Sequence, residues 1–132
     1  MTLRTTPSPK LIRASIALVW LYQGLWCKLL SRALNQKAVV ATVPFIGADG
    51  ARTVLIALGL IECSIAAWVL SGKRLRAAAF AQTALLVAMN AGGIIWASHL
   101  IPDPGNMIVE NFALLVLIWI AAEGPPYAVQ QV

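Results

Sequence analysis

Glu62 interrupts an otherwise apolar run from Thr53 to Leu70. A carboxylate at the centre of a bilayer costs about 2.5–3.5 kcal/mol on insertion scales, so Glu62 is expected to point into a bundle rather than at lipid. Other apolar runs carry groups able to answer it: Gln23, Lys28 and Tyr22 in one, Asn90 and Asn111 in two more. A carboxylate facing a lysine in a dry interior, framed by amides and a phenol, can bind a polar head group or relay a proton. An apolar pair would pack at lower cost, which points to function for Glu62 with Lys28. For Gln23, Asn90 and Asn111, binding and plain interhelical gluing remain equal alternatives, the latter being worth about 0.6 kcal/mol each.

The elements that must position these groups follow from composition. The chain has 132 residues, 60% hydrophobic and 11% charged. One compact unit of this size has too little interior to hide that much apolar surface, so the bilayer must cover much of it. A net charge of +5 does not indicate nucleic acid, because no basic stripe interleaves with exposed aromatics. The cations flank the apolar runs, where they suit phospholipid head groups.

We therefore expect an all-α fold, a four-helix bundle forming one transmembrane domain over residues 1–132, with spans at 14–30, 53–70, 77–98 and 107–122. The second and third spans have the roughly 20 residues needed to cross hydrocarbon. Only fourteen uncharged residues separate Arg13 from Lys28, so the first span requires snorkelling or a lysine held in a polar interior. In the fourth, Glu110 and Asn111 are expected in the first turn, where an acid suits the helix dipole.

The breaks have their own chemistry. In Ser71-Gly72-Lys73-Arg74, Gly72 stands where a helix C-cap needs a left-handed residue. Ile101-Pro102-Asp103-Pro104-Gly105 cannot continue a helix, because its prolines lack donors and clash with the preceding turn. Ala48-Asp49-Gly50 is expected to form the turn before the second span. Residues 32–43 either prolong the first helix or lie on the membrane surface. Met1 to Pro9, rich in Thr, Ser and Pro, reads as a disordered tail. Six cations lie in the amino-terminal flank and the 71–76 turn, against four on the opposite side, which favours both termini in the cytoplasm. The first apolar run ends in Trp26, Cys27 and Lys28 without small residues for cleavage, so it is expected to remain as a helix.

Depth along each helix can be measured at 1.5 Å per residue from a midplane near Tyr22, Ile61, Val87 and Leu115. Gln23 is then level with Glu62, Asn90 lies ~4–5 Å toward the outer side, Asn111 ~6 Å and Lys28 ~9 Å. Gln82 falls on the inner half. Each span thus brings a polar group to one outer-half layer. Trp20, Gly24 and Lys28 recur at i, i+4 and i+8 on one stripe. Gly59 stands three residues from Glu62 and Gly93 three from Asn90, spacings that permit close helix approach beside polar groups.

Cys27 and Cys63 differ in expected depth by roughly 10 Å, while a disulfide needs Cα atoms within about 7 Å, so both are read as small packing residues. His99 with nearby Asp103 offers too few ligands for a metal site.

The order W-x-x-x-G-x-x-x-K (Trp20, Gly24, Lys28), G-x-x-E (Gly59, Glu62), Gln82 and Asn90, then Pro102 and Asn111, resembles the DoxX-like family of small bacterial membrane proteins over about residues 14–122. The first loop departs from that pattern: the apolar Ala38 to Gly47 stands where relatives tend to carry an acidic segment. The resemblance implies a four-helix protein of the bacterial plasma membrane. It also implies a link to respiratory redox chemistry, because the broader family is similar to the membrane subunit of thiosulfate:quinone oxidoreductase. No G-x-G-x-x-G, C-x-x-C-H or intramembrane histidine pair is present. A redox cofactor would therefore come from a partner subunit, with quinone as the membrane ligand, and no residue is assigned a catalytic role. Two other readings stand beside this one: a small transporter or channel acting as a homodimer, and a structural accessory subunit.

Overall fold

The apolar runs fold into helices that begin before them. A computed structural model describes residues 7–30 and 34–123, and all its regular structure is helical. Helix α1 (Pro9–Leu21) passes directly into a π-helical segment (Tyr22–Leu29). A separate short helix α2 (Leu34–Ala41) follows, then α3 (Gly47–Ser71), α4 (Leu75–Ala97), a 3-10 turn (Ser98–Leu100) and α5 (Pro104–Glu123).

Several expected boundaries are corrected. Ser8 caps α1 by accepting the Leu11 N–H at 3.2 Å, and Pro9 occupies the first turn, so residue 9 belongs to the helix and not to a tail. Met1 to Thr6 lie outside the described residues, as do Ser31 to Ala33. Ala48-Asp49-Gly50 is the first turn of α3, where Asp49 meets the positive end of the dipole, rather than a turn before it. Asp103 caps α5 through the Asn106 N–H at 3.0 Å with Pro104 just inside, which moves Glu110 and Asn111 beyond the first turn. The common cause is physical: apolar runs mark the hydrocarbon, whereas caps mark the helix, and each of these helices starts before its apolar run.

Gly72 ends α3 in the left-handed conformation (φ 71°), as its position in the turn predicts. The Arg13 side chain packs over it, so the start of α1 and the 72–74 turn lie at one end of the bundle. At the other end α2 lies across the π segment, α3, α4 and the 3-10 turn, with Phe45 edge-on to Trp96 at 6.1 Å. Residues 34–41 therefore form a helix of their own, packed on the end of the bundle, and do not prolong the first helix.

Three helices, Gly47–Ser71, Leu75–Leu100 with its 3-10 end, and Pro104–Glu123, are long and apolar enough to cross a membrane. The π segment and α1 pack along α3, α1 also meets α5, and α5 packs along α4. The core gathers Ile16, Ala17, Trp20, Ile65, Ala66, Val69, Ala79, Leu86 and Ile118. The outside is apolar too, with Leu18, Leu60, Phe80, Ile95, Val109 and Phe112 all exposed. Such a surface suits lipid rather than water, and the protein is a membrane protein.

Candidate functional site: a buried ion pair at a glycine crossing

The buried stripe of α3 runs Ala51, Leu55, Gly59, Glu62, Ala66, Val69, the spacing of one helix face. Glu62 occupies a core position on it and is 0% exposed. Opposite stands the stripe Trp20, Gly24, Lys28, all buried. The helices touch at their glycines. A Cβ on Gly24 would stand 2.8 Å from the Gly59 carbonyl oxygen, 3.0 Å from Glu62 Cβ and 3.1 Å from the Cys63 nitrogen. This backbone-to-backbone contact brings the lysine within reach of the acid.

Lys28 Nζ lies 2.9 Å from Glu62 Oε2, and Lys28 is itself only 5% exposed. The contact is an ion pair by distance but lacks hydrogen-bond directionality, and Oε1 has no donor at all. The ammonium also sits 3.5 Å from the Gln23 carbonyl oxygen, five residues back. The backbone i→i+5 bonding of the π segment is seen where Leu30 N–H donates to Leu25 O at 2.8 Å. Lys28 thus stands in the last turn of its helix and in the bundle interior at once.

The remaining expected members separate into pairs. The Gln23 side chain turns to α2 and accepts from Gln36 Nε2 at 3.1 Å. Asn111 donates to Asn90 Oδ1 at 2.9 Å, joining α5 to α4, while Asn90 donates to Leu86 O at 2.7 Å. Tyr22 departs from the expected layer: it is 55% exposed and faces outward, because its azimuth on the helix is opposite to the Trp20 stripe. Two side chains enter that the expected outer-half layer did not include. Gln36 carries a buried Oε1 without a donor. Gln82, 2% exposed, accepts the Trp20 indole N–H at 2.8 Å and donates to Ala78 O at 3.0 Å. The i, i+4 stripe that included Trp20 carried a signal for Gln82, since a buried indole N–H requires an acceptor.

Replacing Trp20 by Phe strands the Gln82 oxygen. We expect a loss of about 1–3 kcal/mol in unfolding free energy from the unsatisfied acceptor, measured by thermal or denaturant unfolding in mild detergent. The Trp119→Phe variant, which frees only the half-buried Thr83 hydroxyl now 3.1 Å from the indole nitrogen, should lose less.

This geometry, a glycine crossing that brings a lysine onto a buried Gly-x-x-Glu, lies inside the region matched by the DoxX-like family model, residues 17–119. The chain belongs to the DoxX-like family. No curated protein and no solved structure matches it. In this DoxX-like protein Cys27 and Cys63 are free thiols on either side of the ion pair in sequence, Cys27 buried and Cys63 half-buried. Among the described residues no group of three or more His, Cys, Asp and Glu gathers in metal-binding geometry.

Proposed function

We propose that this DoxX-like protein is a four-span subunit of a membrane oxidoreductase-type complex, one domain over residues 1–132, in which the Lys28–Glu62 pair receives the polar head of a membrane quinone or relays its proton. The fourth span in this reading is α1 with its π continuation, which runs unbroken from Pro9 to Leu29 beside α3. The cation distribution supports both termini in the cytoplasm of a bacterial plasma membrane.

The observation that carries the reading is the bare acceptor, Glu62 Oε1, which has no protein donor on a residue with no exposed surface. A buried polar atom without a partner costs about 1–3 kcal/mol, so its retention calls for a use. The nearby α2 adds a second such acceptor in Gln36 Oε1. Both unpartnered atoms accept, so the fitting ligand brings donors. A quinol supplies hydroxyl hydrogens, and the carboxylate is the natural recipient of the proton released when that quinol is oxidised. Gln23, Asn90 and Asn111 frame the two sides of the site in this reading, and the redox cofactor belongs to the partner.

Glu62→Gln tests it. The amide keeps an oxygen for Lys28 but puts an NH2 donor where the bare carboxylate oxygen was. Quinone-linked turnover in membranes containing the native partners should fall by about 10²-fold, the lower range for loss of a proton-transfer group. Quinol binding to the purified protein should weaken as well. Unchanged turnover together with unchanged binding would remove the pair from the mechanism.

A further inference from the structure

Helices α3 and α4, although joined by the tight Gly72 turn, leave a groove of about 560 Å³ between them. Its walls are Leu60, Ser64 and Trp68 of α3 and Ala81, Ala84 and Leu85 of α4. The cause is in the sequence: Leu60, Ser64 and Trp68 repeat at i, i+4, i+8, and α4 answers them with two alanines too short to fill the space. Ser64 makes no polar demand there, because its hydroxyl donates to Leu60 O at 2.7 Å. The volume falls within the roughly 300–1,000 Å³ of small-ligand pockets, and the lining is apolar.

One end of the groove meets charge. Trp68 donates its indole N–H to Lys73 O at 2.9 Å, which ties the groove wall to the turn. Lys73, Arg74 and Arg76 are all exposed on that turn, and no acidic residue occurs between Glu62 and Asp103. Arg13, packed over Gly72, has a buried Nε that lacks an acceptor. Glu123, at the end of α5, is the acid at this end of the bundle, and the cations outnumber it. An apolar slot capped by several cations and an unsatisfied guanidinium donor matches one kind of molecule.

We propose that this groove holds an acyl chain of an anionic phospholipid, whose phosphate is bound by the Lys73, Arg74 and Arg76 turn with Arg13 beside it. The site is separate from the Lys28–Glu62 pair and does not depend on what that pair binds. A bound lipid here would fasten α3 to α4 where side chains alone leave them apart.

The test uses the full chain purified in mild detergent, offered phosphatidylglycerol and phosphatidylcholine with matched chains, with retained lipid counted by native mass spectrometry. Phosphatidylglycerol should be retained in preference. The triple variant Lys73→Gln, Arg74→Gln, Arg76→Gln should weaken its retention about 100-fold while leaving phosphatidylcholine unchanged, since each surface cation contributes comparably to anionic-lipid attraction. Ala84→Leu should lower phosphatidylglycerol retention with every cation in place. Phosphatidylglycerol brominated along its chains should quench the part of the tryptophan fluorescence that Trp68→Phe removes. Equal retention of the two lipids, or a triple variant that still prefers phosphatidylglycerol, overturns the proposal. Cation-dependent retention with no effect of Ala84→Leu and no Trp68 quenching overturns the groove as the place of binding.

Discussion

Lys28→Met should destabilise the protein by about 3–5 kcal/mol, the usual cost of removing one partner from a buried ion pair. Glu62 is 0% exposed, and its Oε1 already has no donor, so methionine would leave a buried carboxylate with neither countercharge nor hydrogen bond. The double variant Lys28→Met, Glu62→Leu should recover most of the loss, because two apolar side chains of similar volume pack there without desolvating charge. Unfolding in mild detergent reads both effects. The pair of results separates stability from function: a double variant that is stable yet no longer binds quinol marks the ion pair as a working site. A double variant that is stable and still binds would make the pair dispensable. If Lys28→Met alone causes no loss, the 2.9 Å contact does not balance the buried charge.

Gly24→Ala should destabilise by about 1–3 kcal/mol, the range for overpacking a tight contact, although alanine is the better helix former. The added methyl would meet backbone atoms of α3 at 2.8 and 3.1 Å, and backbone cannot rotate away as a side chain tip can. The helices must then separate, which also lengthens the reach from Lys28 to Glu62. Gly92→Ala is the matched control: its Cβ would meet only Trp96 ring atoms at 3.8 and 3.9 Å, an ordinary contact. There the gain in helix propensity should prevail, up to about 1 kcal/mol. Opposite signs for the two substitutions, in the same unfolding measurement, identify the Gly24–Gly59 crossing as the contact that sets the site. A neutral Gly24→Ala would show that the crossing can open at no cost.

The candidate site was partly readable along the chain. Glu62 had to turn inward because a bilayer makes an outward carboxylate costly, and the Trp20, Gly24, Lys28 spacing selected the face that meets it. Depth, however, is a single coordinate. It set Tyr22 at the midplane beside the layer of Glu62, although Tyr22 points outward, and it gathered Asn90 and Asn111 with Glu62, although the two asparagines bond to each other. Which azimuth each side chain takes is decided by neighbouring helices, and a one-dimensional pattern does not carry it. Gln36 was out of reach for another reason: α2 is a short helix of mixed composition, held by contacts with α3, α4 and the π segment rather than by periodicity.

By itself the sequence determined the solvent, the helical class, the Gly72 cap, the proline break after Leu100 and the family to which the chain belongs. Each follows from local chemistry: apolar length, a missing donor, a residue free to adopt positive φ. Only the tertiary structure decided that α2 folds across the end of the bundle, that the first helix widens into a π segment around Lys28, and that Trp20 takes Gln82 as its partner. These depend on which helices touch. That was fixed where Gly24 and Gly59 allow two backbones to meet, and left open where Ala81 and Ala84 keep α4 from filling the space beside α3.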